Sequence, residues 1–293
     1  MTIPFRTSFL LLPPPLIQIM AQQQEPEVLL SINNHVATIT LNRPKKGNAL
    51  TANMNELLLD MLARLKDDSS VRVLVVTGAG KYFCTGMDLS AAGSQSDDPQ
   101  QVREGFRKGL RVFDALYHFP KPVIARVNGP ALGGGVGIIF TTDFRVVAEQ
   151  DTYVALTEVK RGIIPAIISQ YLVPELGRQR AREWMLTGRR VPARDAAAHW
   201  TSLVPRDQLD QGVQDVVNML VESAPGASAD IKRLVHAIST DGNPEQHQQH
   251  VQQSVEDAYL KMMQSDEAVF GIMAFLNKEK PDWNQFLKDK AKL

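Results

Sequence analysis

The sequence predicts an α/β protein, an alternating core followed by a helical C-terminal region. Three observations point there. Short β-rich runs alternate with helical stretches through the first half of the chain. From about residue 166 onward the pattern is helical almost throughout, apart from a few residues near 202–204. No long linker separates the two parts, and at 44% hydrophobic residues the 293-residue chain has enough apolar side chains for a sizeable core.

The elements follow in order. Segments 27–31 and 36–41 are β-rich and flank Asn33-Asn34-His35, a hairpin pattern. Thr51 is placed to cap a helix over 52–67, where Leu57, Met61 and Leu65 recur at helical spacing. Residues 71–78 are a short apolar run ended by Gly78 and Gly80, a strand buried on both faces. The Ser, Gly, Gln and Asp-rich stretch 90–100 reads as a mobile loop, and a helix is expected over about 102–118. Pro120 and Pro122 stop it, and 123–127 is the next buried strand. Gly133-Gly134-Gly135 then opens a helix running to Phe140, followed by short strands over 144–149 and 153–156.

Composition excludes some classes of function. Lysine plus arginine and aspartate plus glutamate number 32 each, so bulk charge favours neither nucleic acid nor an anionic membrane. Cys84 is the only cysteine, which rules out an internal disulfide. The six histidines are scattered, and no cysteine–histidine cluster has metal-ligand spacing, so no metal is expected. Residues 1–24 read as a tail or extension. They contain no acid, one arginine (Arg6) and an apolar run broken by Pro13, Pro14 and Pro15, too short to span a bilayer. Met20-Ala21 is an alternative start. The terminal Ala291-Lys292-Leu293 is similar to the Ser-Lys-Leu peroxisomal address and points to the peroxisome, with cytoplasm or mitochondrion as alternatives.

Two glycine-containing turns carry the chemical signal. Tyr82 to Leu89 follows a buried strand and contains Gly86; Gly133-Gly134-Gly135 precedes a helix. Glycine lets a ligand approach the backbone and leaves N–H groups facing outward. Two such donors converging on one oxygen form an oxyanion hole. Neither turn is a phosphate loop or a dinucleotide fingerprint, because the following residues and spacings do not match.

The combination resembles the crotonase superfamily, the enoyl-CoA hydratases and isomerases. The matching pieces are Leu41-Asn42-Arg43-Pro44 with Asn48-Ala49-Leu50, Phe83 to Leu89, Lys121 to Ala125, Asn128 to Gly135, Glu158 within Leu156 to Pro165, and Met273 to Leu276 with Lys278. They span roughly residues 27–283. The resemblance implies a spiral of repeated β-β-α turns over 25–205, and a C-terminal helical oligomerisation region over 206–290 that assembles trimers or hexamers. It implies an acyl-CoA substrate, with coenzyme A present as part of that substrate and no separate cofactor. Backbone N–H groups of Met87 and Gly134 match the oxyanion hole, and Glu158 matches the acid/base. Lys45, Phe275 and Lys278 match coenzyme A contacts, and Thr85, Gly86, Gly135 and Pro165 match the substrate pocket. Asp88 is expected to cap a helix, Asp143 to brace the following strand, and Cys84 to pack.

One departure shapes the functional reading. Many hydratases of this family carry a second glutamate after the glycine-rich turn, and here that position is Gly137. The single-glutamate pattern resembles the 3-methylglutaconyl-CoA hydratase branch, and a glycine at 137 is expected to make room for a branched acyl group. Three readings follow, in order: a hydratase/dehydratase of a short, 3-methyl-branched enoyl-CoA; a 3,2-enoyl-CoA isomerase; a non-catalytic CoA-ester binder. Glu158 among Leu156, Ile163 and Ile164 is expected to have a raised pKa, or alternatively to pair with Lys160 or Arg161.

Overall fold

The protein is described from a computed structural model covering residues 25–91, 98–221, 223, 225–238, 249, 252–253, 256–257, 259–260, 263–281, 286 and 289. The extension 1–24, part of the loop predicted over 90–100, and the terminal 291–293 tripeptide lie outside the described residues.

Six strands form the main sheet. β1 (Val28–Asn33) and β2 (Val36–Leu41) make the expected antiparallel hairpin, turned by Asn34 and His35 with φ of 46° and 66°. β3 (Val73–Gly78), β4 (Val123–Val127), β6 (Phe144–Ala148) and β9 (Ser202–Val204) continue it in parallel, in the order β1-β2-β3-β4-β6-β9. A second, smaller sheet is built from β5 (Ala131–Leu132), β7 (Tyr153–Ala155) and β8 (Val191–Pro192). β5 and β8 have two residues each, too few for a sequence pattern. Isolated bridges Leu50–Met87 and Cys84–Ala131 extend this second row towards the start of the chain.

Each turn of the chain therefore gives one strand to the large sheet, a short one to the small row, and then a helix. β4-β5 leads into α3 (Gly134–Phe140); β6-β7 leads, through a 3-10 turn at Thr157–Arg161, into α4 (Ala166–Thr187). This is the crotonase spiral of β-β-α units.

The helices cover both faces. In α1 (Ala52–Asp67), Thr51 accepts a hydrogen bond from the Met54 amide at 3.0 Å, the expected cap. Its buried stripe is Met54, Leu58, Leu62 and Leu65, while Leu57 and Met61 lie on the flank. α2 (Pro99–Tyr117) begins earlier than the apolar pattern suggests, because Asp98 accepts from the Gln100 amide at 2.9 Å and Pro99 fits the first helical position. α1 to α4 share one core with Leu74 and Val76 of β3; α5 (Leu209–Val221) covers the opposite face with Val73 and Val75. The alternation explains why β3 reads as apolar at every position. Asp143 accepts from the Val123 amide at 2.7 Å, so it braces the start of β4 rather than the strand that follows it, and pairs with Lys232 of α6 (Pro225–Ile238) at 2.6 Å. α7 (Asp266–Leu276) packs against the Thr157–Arg161 turn. No helix among the described residues is long and apolar enough to cross a membrane.

Candidate active site

The spiral stacks three chain reversals beside one another: residues 83–89 after β3, 131–135 after β4, and 155–158 after β6. Asn48 fixes the first. It is fully buried with φ of 56°, accepts from the Arg43 amide at 2.9 Å, and its Nδ2 donates to the carbonyls of Ala79, Tyr82 and Phe83 at 2.9, 2.8 and 3.2 Å. Asn128 ties the same loop from β4, accepting from the Gly78 amide at 3.1 Å and donating to Gly80 O at 2.9 Å. The second reversal is held by Leu132 N donating to Cys84 O at 2.9 Å and Gly133 N donating to Ala155 O at 3.0 Å.

Gly86 and Gly133 have φ of 90° and 49°, and the two turns touch. A Cβ on Gly86 would lie 3.0 Å from Leu132 O and 3.1 Å from Gly134 N. Leu50 N donates to Gly86 O at 2.8 Å and Asp88 N to Leu50 O at 2.9 Å. These bonds straddle Met87, so its own N–H points away from Leu50. Among the described residues, neither the Met87 nor the Gly134 amide has a hydrogen-bond acceptor. Met87 is 61% exposed.

Both residues line a pocket of about 500 Å³, together with Glu158. Glu158 sits in the 3-10 turn beyond β7, and its Oε2 is shielded from solvent with no hydrogen-bond partner. A Cβ on Gly133 would lie 3.0 Å from Oε1, so the glycine turn leaves space for the carboxylate. Burial pushes the Glu158 pKa up to about 7, against the pull of its own amide and of Arg161. Neither Lys160 nor Arg161 closes an ion pair with it. Asp88 also lines the pocket but is already committed. The Ser90 hydroxyl and amide hold it below the usual carboxylate range, helped by Arg43 at 2.9 Å. Its bond to Ser90 N caps the short 3-10 turn at Leu89–Ala91. Cys84 is fully buried, its thiol pushed up to about 12 by that burial, and it packs.

Other expected site residues fall in two groups. Thr85, Gly86, Pro165 and Phe275 are on the pocket wall, with Ile163 and Ile164 beside Glu158; Leu156 is in the core instead. Lys45 is exposed and off the wall, where Lys46 stands, because the 3-10 turn Pro44–Lys46 rotates adjacent side chains apart. Lys278 is likewise off the wall, one residue past α7's C-cap with φ of 60°. Gly135 is a packing glycine: a Cβ there would stand 2.2 Å from Cys84 O.

Gly137 overturns a specific expectation. It opens no room, since a Cβ there would lie 2.3 Å from Ile168 Cγ2 and 2.9 Å from Phe113 Cε1. The volume a second glutamate would need is filled by α2 and α4. Sequence reasoning named Arg161 only as a pairing alternative for Glu158, and missed Asn55, Phe113 and Tyr259 on the wall, which come from helical segments whose docking no local pattern reveals.

The profile of the family described as "Enoyl-CoA hydratase/isomerase" matches residues 31–287. The chain belongs to the enoyl-CoA hydratase/isomerase family. A carnitinyl-CoA dehydratase of Salmonella heidelberg (strain SL476) is 34% identical over 260 residues, 87% of this chain and 97% of that protein. An enoyl-CoA hydratase structure from Mycobacterium avium superposes with a TM-score of 0.75 at 28% identity, covering 89% of this chain and 100% of that one. One from Shewanella pealeana ATCC 700345 gives 0.71 at 29% identity, covering 89% and 97%. Family membership places the protein among lyase-type enzymes of the hydratase/dehydratase kind that act on acyl-CoA thioesters.

Two outcomes follow from the packing and burial. Gly137→Ala should lower stability by about 1–3 kcal/mol through overpacking, and Ile168→Ala should offset part of that loss in a double-mutant cycle followed by urea denaturation. Glu158 has a folded pKa of about 7 against an ordinary 4.5. Its contribution is therefore fully present below pH 4.5 and is lost as pH rises through 7. Glu158→Gln should match wild type in stability near pH 4.5 and exceed it by about 2–3 kcal/mol above pH 7. Equal pH dependence of melting in the two proteins would contradict the burial.

Proposed function

We propose that this protein is an enoyl-CoA hydratase/dehydratase for short acyl-CoA thioesters, in which Glu158 alone carries the proton work. One observation carries the reading: Glu158 is the carboxylate on the pocket wall whose Oε2 is buried without a hydrogen-bond partner, beside two amides that have no acceptor among the described residues. The thioester oxygen accepts from Met87 N–H and Gly134 N–H, which stabilises negative charge developing there. The Glu158 carboxylate takes a proton from water as its oxygen bonds to C3 of the enoyl chain, and the electron pair moves to the thioester oxygen. The enolate then collapses, and C2 receives the proton from Glu158. Dehydration is the reverse. A group with a pKa near the operating pH suits both halves. The dehydratase relative from Salmonella heidelberg supports this direction of chemistry.

Isomerisation is the second reading, favoured by the same single carboxylate, which would remove a proton at C2 of a 3-enoyl chain and return it at C4. Gly137 lends no support to a 3-methyl branch, because Ile168 and Phe113 occupy that space. In this reading Lys46, exposed and on the pocket wall, is the lysine that would meet the phosphate-bearing part of coenzyme A. Trimers or hexamers are part of the same reading, supported by Ile231 and Leu234 on α6 and Val269 and Met273 on α7, each at least half exposed.

Glu158→Gln should reduce turnover by about 10²-fold or more, with acyl-CoA binding retained in calorimetry; near-normal turnover would sink the assignment. With a panel of straight and branched substrates, loss of enoyl-thioester absorbance from 2-enoyl-CoA identifies hydration, and its gain from 3-enoyl-CoA identifies isomerisation. Sedimentation equilibrium should return three or six chains; a monomer at micromolar concentration contradicts the assembly.

A further inference from the structure

The turn carrying Glu158 is gripped by a helix from the far end of the chain. Arg161 follows Glu158 by three residues in a 3-10 turn, where side chains at that spacing stack on one face. Its Nη1 donates to Thr157 O at 3.1 Å and Thr157 Oγ1 at 2.8 Å. Its guanidinium carbon lies 4.4 Å from the centroid of the Phe275 ring, in the last turn of α7. One turn earlier, Gly271 lets α7 close on the Arg161 backbone: a Cβ there would be 2.0 Å from Arg161 O. Arg161 Nε is buried without a hydrogen-bond partner, and the side chain lines the pocket.

We propose that Arg161 is a positioning residue that holds Glu158 in register with the two oxyanion turns and makes that register depend on the docking of α7. The inference rests on Glu158 being the base. The contacts have the right geometry for this. One guanidinium braces the backbone on the N-terminal side of Glu158, stacks on α7, and places a positive charge on the carboxylate's own face of the turn. That charge works against the burial that raises the Glu158 pKa. Neighbouring elements supply little competition. Lys160 is directed to the end of α4, 3.2 Å from where a Gly188 Cβ would be. The first turn of α4 is uncharged, and the last turn of α7 has no basic residue. The acid Asp266 is at the opposite end of α7 from Phe275. The remaining titratable groups on the wall are Lys46, Tyr259 and Asp88, the last held by Arg43 and Ser90.

The test compares Arg161→Met, Arg161→Lys and Phe275→Leu in the full chain, with kcat and KM followed across pH on an enoyl-CoA that the wild type turns over. Arg161→Met should lower kcat about tenfold or more with KM little changed, and move the acid limb of the kcat profile upward by about half a unit or more. The sign follows from removing a positive charge beside a carboxylate, which makes it harder to ionise. Arg161→Lys should return the limb towards wild type without restoring kcat, since lysine keeps the charge but not the planar stack. Phe275→Leu keeps the wall apolar but removes the ring on which the guanidinium stacks, so it should lower kcat and move the limb in the same direction as Arg161→Met. A wild-type acid limb in folded Arg161→Met overturns the proposal, as does a rise in KM alone. If Arg161→Met fails to fold, a wild-type limb and kcat in Phe275→Leu overturns it instead. Should Glu158→Gln stay active, the base assignment fails; should that variant be inactive while the Arg161 profiles are unchanged, only the positioning role fails.

Discussion

Contact between two glycine turns is the constraint from which the site follows. Gly86 and the Gly133-Gly134 pair approach so closely that a Cβ on Gly86 would press on Leu132 O and Gly134 N. Amides that face a solvent-accessible pocket without a protein acceptor are open to water or to a ligand oxygen. The surrounding bonds all work to keep them unpaired. Asn48 occupies three carbonyls of the first loop, Asn128 ties that loop to β4, and Ala155 O holds the Gly133 amide. With the neighbouring backbone groups satisfied, the Met87 and Gly134 donors have no protein acceptor to collapse onto. The spiral supplies this arrangement, since it brings successive strand ends into one row.

The absence of a second glutamate is a packing outcome as well as a chemical one. Gly137 faces Ile168 and Phe113 at distances that exclude even a methyl group without adjustment. α4 and α2 have closed over the position, and Ile167, Ile168 and Phe113 form an apolar wall there. A water molecule in the pocket finds little to hold it on that side. Besides Glu158, the polar side chains on the wall include Lys46, Asp88 and Ser90. Asp88 is unsuited to share the proton because Ser90 and Arg43 stabilise its ionised form.

Much of this was legible in the sequence where the signal is local. The hairpin, the Thr51 cap, the strands over 73–78 and 123–127, and the glycine turns each follow from neighbouring residues. What depends on tertiary docking was not. Gly135 and Gly137 look alike in sequence, yet one is fixed by Cys84 O and the other by side chains of two helices. Lys45 and Lys46 are adjacent, and only the orientation of a three-residue 3-10 turn separates wall from solvent. Arg161 was legible only as a pairing alternative for Glu158, because its partner Phe275 is more than a hundred residues away. The short strands β5 and β8 leave no periodicity to read.

The proton affinity of Glu158 joins these levels. A single carboxylate that both takes and returns a proton needs a pKa near the working pH, and burial is what lifts it to about 7. Ile163 and Ile164, immediately after the turn, supply part of that burial. Tyr259, Phe275 and Leu276 close the same pocket from the C-terminal end of the chain. Were that wall removed, water would reach the carboxylate and its pKa would fall towards the ordinary value, which in the proposed mechanism leaves the proton held too weakly to be given back to C2. The helical region beyond the spiral is thus tied to the chemistry by solvation. Gly271, which lets α7 lie directly on the Arg161 backbone, belongs to the proposed site as much as the glycines of the two touching turns do.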